Sequence, residues 1–388
     1  MTWLAKSMVE AVGHRRDHSG APPPCAALLV WLLLTSTWLG CDDRSASRLG
    51  SPINPTVAET PRSSQPAPDF TSPQLTYPEI TQVYHTGCCD GSAGVALDDE
   101  FFLVGNDENS VLRVYARNGS RGPVMEVNFR KYLDLKKKDD ESDIEGMTLI
   151  GTEVYVIASH ARSKDGEKRK GRRQLFGLTY SSVDGQIQLR PFGKPFTKLH
   201  KALEEAQPIP NLDFEESAKS PGDLPGGLNI EGLSSTPSGT LLIGFRSPIV
   251  DGRTILIELK NPREILLGSE PRFGDAHQLL LGGTGIRAFE RFETTYLFTT
   301  EARNGKGRPY LFSWDGQSQS PRRVFASLPK NSNPESLLLF PTTGLSEIHL
   351  LSDDGNETIR DRTCNDLKPS EERRFRRIIL STHSDPNE

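Results

Sequence analysis

A short phrase recurs along this chain and constrains the fold more than any single motif. Asp143-Ile-Glu-Gly-Met147 leads into Val154-Tyr-Val-Ile-Ala-Ser-His160, and Asn229-Ile-Glu-Gly-Leu233 leads into Thr240-Leu-Leu-Ile-Gly-Phe-Arg246. Weaker copies run from Gly285-Ile-Arg-Ala-Phe289 to Glu301, from Asn333-Pro-Glu-Ser-Leu337 to Asp353, and from Ser92-Ala-Gly-Val95 to Asp107. Short β-rich units recurring at roughly fifty residues mark a propeller or a similar repeat array.

Each copy is followed by two more apolar runs, such as Val111-Leu-Arg-Val-Tyr115 and Val124-Met-Glu-Val-Asn-Phe129. Asn118-Gly, Asp184-Gly and Asp315-Gly fall between the outer runs, where a hairpin needs residues tolerant of positive φ. The reading is therefore all-β: a propeller of five four-stranded blades, with a cryptic sixth blade as the alternative. The fifth unit has only three strands of its own, and Ile80-Thr-Gln-Val-Tyr-His85 is expected to close it from the N-terminal side. A ring closed in this way leaves no exposed sheet edge. The spacing between the second and third phrases is longer than elsewhere, and Pro195–Ala206 within it has helix-forming composition.

The first seventy or so residues of the 388 do not resemble part of a core. Residues 1–40 read as a signal peptide: Lys6, Arg15 and Arg16 precede an apolar stretch that includes Ala26–Leu34 and is too short for an ordinary membrane span. The stretch ends in Trp38-Leu-Gly-Cys41, which resembles the lipobox of bacterial lipoproteins, with Trp38 where that motif usually carries Leu. That resemblance implies lipidation at Cys41; the alternatives are a plain cleaved signal or an uncleaved anchor. Residues 41–76 are rich in Ser, Pro, Thr, Ala and Arg and read as a disordered tether, which leaves 77–388 as the propeller domain. The expected location is the bacterial cell envelope, outside the cytoplasm.

Net charge is −5 from 46 basic and 51 acidic residues, a balance that argues against nucleic acid as the main partner. The one strong basic run, Lys164 to Arg173, falls between two strands and reads as a solvated loop. Beyond Cys25 and Cys41, three cysteines remain in the domain, which suits an oxidising compartment with one disulfide. Ring closure brings Cys88 or Cys89 near Cys364, and the sequence leaves open which of the two pairs.

Inner strands of a propeller converge on a central channel, so polar positions repeated on them face one another. On the first strands these are Ala93, Glu145, Glu231, Arg287 and Glu335; near the ends of the second strands they are Asp107, His160, Arg246, Glu301 and Asp353. Charges so placed are costly to bury unless paired. In one reading they pair across the channel and set blade register. In the other, the mouth binds a ligand through Glu145, Glu231, Glu335, Asp107 and Glu301. A hard cation such as Ca²⁺ would then sit on Glu145, Glu231 and Asp353, while His160, Arg246 and Arg287 form a catalytic group for an ester substrate. Asp353-Asp-Gly355 with Asn356-Glu357 forms a second acidic patch. No cofactor is required by any motif, and none of the common hydrolase or phosphate-loop patterns occurs.

The phrases Asp143–Thr148, Ala158–Arg162, Gly227–Leu233, Leu241–Pro248, Gly285–Arg287 and Leu351–Gly355 resemble, in order, a bacterial family known as domain of unknown function 3616. The family is distantly similar to propellers labelled esterase-like phytases. The resemblance implies a propeller from about Tyr77 onward and supplies no reaction. The leading expectation is an exported, lipid-anchored binding or scaffolding propeller for a small-molecule or envelope ligand. The alternative is a metal-dependent phosphoesterase or other ester hydrolase.

Overall fold

The computed structural model describes residues 75–119, 121–136, 141–224, 226–301, 308–326, 328–367 and 372–382. The signal peptide, Cys41 and nearly all of the tether lie outside the described residues. The chain enters through β1 (Thr76–Tyr77) and β2 (Glu79–Thr86), then builds the first blade from β3 (Ala93–Ala96), β4 (Phe101–Gly105), β5 (Val111–Ala116) and β6 (Met125–Asn128). The second blade is β7 (Ile144–Ile150), β8 (Glu153–Ala158), β9 (Leu175–Val183) and β10 (Gln186–Phe196). After helices α1 (Leu199–Ala206) and α2 (Phe214–Ser217) comes the third blade, β11 (Asn229–Ser235), β12 (Leu241–Ser247), β13 (Thr254–Leu259), helix α3 (Pro262–Leu266) and β14 (Phe273–Leu279). The fourth is β15 (Ile286–Phe292), β16 (Thr295–Thr300), β17 (Tyr310–Trp314) and β18 (Arg322–Ala326), with β1 added in parallel on β18.

The last blade runs β19 (Pro334–Leu338), β20 (Glu347–Ser352), β23 (Arg374–Ser381) and β2, so the N-terminal strand does close it, antiparallel to β23 from Glu79↔Ser381 to Thr86↔Arg374. A small hairpin, β21 (Thr358–Ile359) and β22 (Arg362–Thr363), is inserted between β20 and β23. The five inner strands contact one another in the cyclic order β3, β7, β11, β15, β19 and back to β3. This is a five-bladed propeller. The extra length before the third blade forms α1 and α2, and their buried Leu199, Leu203 and Phe214 pack with Ile230 and Phe245 of that blade. Among the described residues no sixth blade is built there. The expected helix begins later than its composition suggested, because Pro195 and Phe196 still belong to β10.

Burial explains the closure. Five apolar clusters each span one pair of neighbouring blades: Leu103 with Val156, Ile157 with Ile243, Leu256 with Phe298, Leu297 with Leu350, and Phe102 with Phe375. Removing apolar surface of this kind from water contributes about 25 cal/mol per Å², so each blade is held chiefly by its neighbours. The glycine after the repeated Glu stands where the next blade leaves no room for a side chain. A Cβ on Gly146 would stand 2.9 Å from Leu233 Cβ, and one on Gly232 would stand 2.8 Å from Ile286 Cγ2.

Candidate functional site

The repeated charged residue stands at a break in strand pairing. Ile144 pairs with Ala158 and Gly146 with Ile157, so Glu145 is an extra residue with no partner. The same irregularity isolates Glu231 between Ile230 and Gly232, Arg287 between Ile286 and Ala288, and Glu335 between Pro334 and Ser336. A β-bulge bends the strand and re-aims a side chain, here toward one end of the channel. The first blade has Ala93 in unbroken pairing with Gly105, and correspondingly carries no charge at this position.

These side chains line a cavity of about 450 Å³ at the channel mouth, together with Asp107, Arg246 and Asp353 from the ends of the second strands. A separate recess lined by Ala93, Gly146 and Leu337 with Glu145, Glu231 and Glu335 holds about 10 Å³ of open space, about what one water needs. The site is a cup.

One side of the cup is neutralised internally. Arg287 bridges two acids, with its Nε 2.9 Å from Glu231 Oε2, although not aligned as a hydrogen bond, and its Nη2 against Glu335. Arg246 Nη1 donates to Glu231 Oε1 at 2.8 Å and Nη2 to Glu301 Oε2 at 3.3 Å. Glu301 is thus a half-exposed partner of Arg246 outside the cup lining. Two asparagines complete the arrangement: Asn229 Nδ2 donates to Glu231 Oε1 at 2.8 Å, and Asn333 Nδ2 donates to Glu335 Oε1 at 3.0 Å. Asn333 also reaches Asp353 Oδ2 at 3.1 Å, while the amide of Gly355 donates to Asp353 Oδ1 at 2.8 Å. The Glu231 carboxylate in turn holds the Arg246 guanidinium charge more firmly than usual.

The other side is neutralised only in part: Arg172 pairs with Asp143, while Glu145 and Asp107 make no ion pair among the described residues. The second blade carries Asp143 where the third and fifth carry Asn229 and Asn333. An aspartate cannot donate, so Glu145 lacks the amide clamp its counterparts enjoy. Burial and then the neighbouring charges of Glu231, Asp143 and Asp107 raise the Glu145 carboxyl well above its ordinary range, against a smaller opposing pull from Arg287. Asp107 is pushed up to about 7, by burial first and then by Asp143, Asp353 and Glu108. Asp143 itself rises to about 6 on burial, although Arg172 Nη1 lies 2.9 Å from its Oδ2 and the Ser159 hydroxyl also supports it.

Two expectations require correction. His160 is not at the mouth. The ladder pairs Ile144 with Ala158 and Ile230 with Phe245, so the residue equivalent to Arg246 is Ser159, one position earlier. His160 is 1 % exposed, in a left-handed backbone conformation, with Nδ1 2.8 Å from the Ala158 carbonyl. Burial lowers it to about 3, so the ring is neutral and enclosed, out of reach of any substrate in the cup. Nor do Glu145, Glu231 and Asp353 converge on a cation: among the described residues no group of three or more His, Cys, Asp or Glu is arranged to hold a metal ion. Glu231 is occupied by two arginines. In the second acidic patch, Arg376 takes up Asp354, with Nε 2.9 Å from Oδ2 and the backbone amide donating to Oδ2 at 2.8 Å.

Sequence reasoning missed Asp143, Asn229, Asn333 and Arg172. The first three were visible in the phrase itself, two residues before each glutamate. Arg172 comes from the basic run between β8 and β9, whose ends supply Lys164 and Arg172 to the rim of the cup. At ring closure, Cys89 is bonded to Cys364, with Cα atoms 5.7 Å apart, and Cys88 is a buried free thiol.

Fold and site together define a five-bladed propeller with an asymmetrically charged cup. Its sequence matches the family described as "Protein of unknown function (DUF3616)" over residues 91–179 and 214–340, more than half the chain, and the protein belongs to that family. No curated protein matches the sequence. Among solved structures it is similar to the Dos1 propeller, at 12% identity and TM-score 0.32, covering 69% of this chain and 56% of that one. It is similar to the PQQ-bound aldose sugar dehydrogenase of Streptomyces coelicolor, at 11% identity and TM-score 0.37, covering 78% and 98%. PhoX of Pseudomonas fluorescens in complex with vanadate, a transition state analogue, matches at 11% identity and TM-score 0.32, covering 70% and 57%. Likeness at this level carries nothing about chemistry.

Proposed function

We propose that this protein is an exported ligand-binding propeller, held at the bacterial cell envelope by a lipid on Cys41 and a tether through residue 76, with its cup open to a small polar ligand. The observation that carries the binding reading is the unequal treatment of the cup's acids. Charges that only set blade register would all be paired, as Glu231 and Glu335 are; Glu145 and Asp107 make no ion pair among the described residues, and burial with like charges raises both. The volume of about 450 Å³ falls within the range of small-molecule sites. The acid-rich lining disfavours nucleic acid as an occupant.

Export is supported by the Cys89–Cys364 bond, since such bonds persist in oxidising compartments. The hydrolase alternative, with Glu145, Glu231, His160, Arg246 and Arg287 in catalytic roles, loses its base to burial and its arginines to carboxylates. Two measurements test the proposal. Incorporation of a labelled fatty acid should occur in the wild type and vanish in Cys41→Ser; equal labelling of both would remove the anchor. Thermal-shift screening against small polar compounds should yield a stabilising ligand whose effect is lost in Glu145→Gln, and a ligand insensitive to that change would move the site elsewhere.

A further inference from the structure

The basic loop between β8 and β9 carries charge that its own neighbours do not absorb. From Arg162 to Arg173 the chain has seven basic residues against two acidic ones, in a protein whose net charge is −5. Lys170 pairs with Asp134, Arg169 with Glu167, and Arg172 with Glu141 and Asp143. Arg162, Lys164, Lys168 and Arg173 make no ion pair among the described residues, and Lys164 and Lys168 are exposed. Burial and then the Arg162 charge loosen the hold of Arg173 on its proton, as expected of cations set side by side.

This loop is pinned to the insertion that precedes the third blade. Arg162 Nε donates to the Ala218 carbonyl at 3.0 Å, and its Nη1 donates to the Gly166 carbonyl at 2.7 Å. Arg173 Nη1 donates to His200 Nε2 of α1 at 2.9 Å, and its Nη2 to the Ala218 carbonyl at 3.4 Å. Burial and then Arg173 lower the His200 ring to about 4, which keeps it a neutral acceptor. Arg162 also bridges to Pro221, the start of a turn whose Gly222 and Asp223 line the cup beside Arg162 and Lys164. Leu224, at the end of that turn, is 51 % exposed. A fixed cationic surface and a bare apolar side chain therefore meet at the rim of the mouth.

A soluble polyanion would engage the charges and leave Leu224 in water. An anionic bilayer takes both, with lipid phosphates against the cations and the leucine at the acyl boundary. We propose that the mouth face of this propeller docks on an anionic lipid bilayer through Arg162, Lys164, Lys168 and Arg173, with Leu224 inserted beneath the headgroups. The proposal rests on the export reading above, which puts the domain beside a membrane, and it does not require the lipid on Cys41. Cys41 and Leu75, the first described residue, are 34 positions apart. A chain of that length can extend to about 110 Å, so an anchor there leaves the mouth face free to meet the bilayer. Asp165, Glu167 and Asp223 border the patch and moderate the attraction.

The test is co-sedimentation of purified Cys41→Ser protein, which cannot take the lipid, with phosphatidylcholine vesicles made with and without phosphatidylglycerol. Phosphatidylcholine alone controls for entry of the apolar segment Ala26–Leu34. The proposal predicts binding that depends on phosphatidylglycerol and is lost in about 1 M sodium chloride, where the screening length falls to about 3 Å. Each Lys or Arg at an anionic surface is worth about fivefold in partition, or about 1 kcal/mol. Lys164→Gln combined with Lys168→Gln should therefore weaken binding about 25-fold, with no change in melting temperature because both side chains are exposed. Leu224→Ser should weaken it about fivefold or more. No binding to phosphatidylglycerol vesicles, or equal binding by the lysine variant, overturns the proposal. Salt-sensitive binding to soluble polyphosphate that needs the lysines, with vesicle binding indifferent to Leu224→Ser, overturns the bilayer and gives the surface to a soluble polyanion. Fatty-acid labelling reports on Cys41 separately, so the anchor and the docking surface can fail independently.

Discussion

A single atom-pair difference in the repeated phrase decides how each glutamate of the cup behaves. Asn229 and Asn333 each give their following glutamate an N–H, while Asp143 offers Glu145 another acceptor and another negative charge. Replacing Asp143 by Asn should therefore lower the Glu145 carboxyl toward the ordinary range. Arg287 is the reverse case. Its removal leaves Glu231 and Glu335 buried without their shared cation, and Arg287→Met should destabilise the fold by about 3–5 kcal/mol. Chemical denaturation measures this, and the double variant Glu231→Gln with Arg287→Met should recover part of the loss if pairing is the cause.

Elsewhere, Glu290 lies buried on β15, accepting from the Arg291 amide at 2.8 Å and from Thr148 Oγ1 at 3.3 Å. Burial pushes its carboxyl up to about 8. Its folded form holds a proton more tightly than its unfolded form, so its contribution is fully present below about pH 4.5 and is lost as pH rises through 8. Glu290→Gln should leave stability almost unchanged at pH 4.5 and raise it by about 2–4 kcal/mol at pH 9. Equal effects at both pH values would show that the carboxyl is not perturbed.

At the scale of elements, the blades were legible because each unit carries its own turn chemistry and apolar runs. The closing strand was legible because the fifth unit is visibly one strand short. The bulges were not. A bulge adds one unpaired residue to one strand of a pair, and alternation alone does not reveal where the pairing slips. Alternation along β8 therefore aligns His160 with Arg246, whereas the ladder aligns Ser159 with it. The same register explains Gly146 and Gly232, which follow their bulged glutamates where a Cβ would crowd the next inner strand. Gly232→Ala should cost about 1–3 kcal/mol through overpacking against Ile286. An unchanged melting temperature would mean that β15 yields without strain.

The disulfide also acts at this scale. It ties the segment after the closing strand β2 to the hairpin insertion of the last blade, across 275 residues of sequence. Cross-linking so long a loop restricts the unfolded chain, and reduction should cost about 2–5 kcal/mol. Peptide mapping under non-reducing conditions should recover a Cys89–Cys364 pair with Cys88 alkylatable only after unfolding; a Cys88–Cys364 peptide would reverse the assignment.

The molecule as a whole couples closure to charge. Five blades bring five positions to one mouth, and the symmetry is broken there by Ala93, Arg287 and the Asp143 substitution within the phrase. Arg287 satisfies two acids, Arg246 ties a third to the rim, Arg172 holds Asp143, and Glu145 and Asp107 make no ion pair among the described residues. The sequence displayed the residues of this asymmetry; it could not display which carboxylates the arginines reach, because that depends on the bulge at each position. The central claim is that arginines bridge Glu231 and Glu335 on one side of the cup, whereas on the other Glu145 and Asp107 make no ion pair among the described residues. Carboxyl-carbon NMR titration tests it most directly. Asp107 should titrate at about 7 and Glu145 well above the ordinary glutamate range. Midpoints for both in the ordinary carboxylate range would contradict the account.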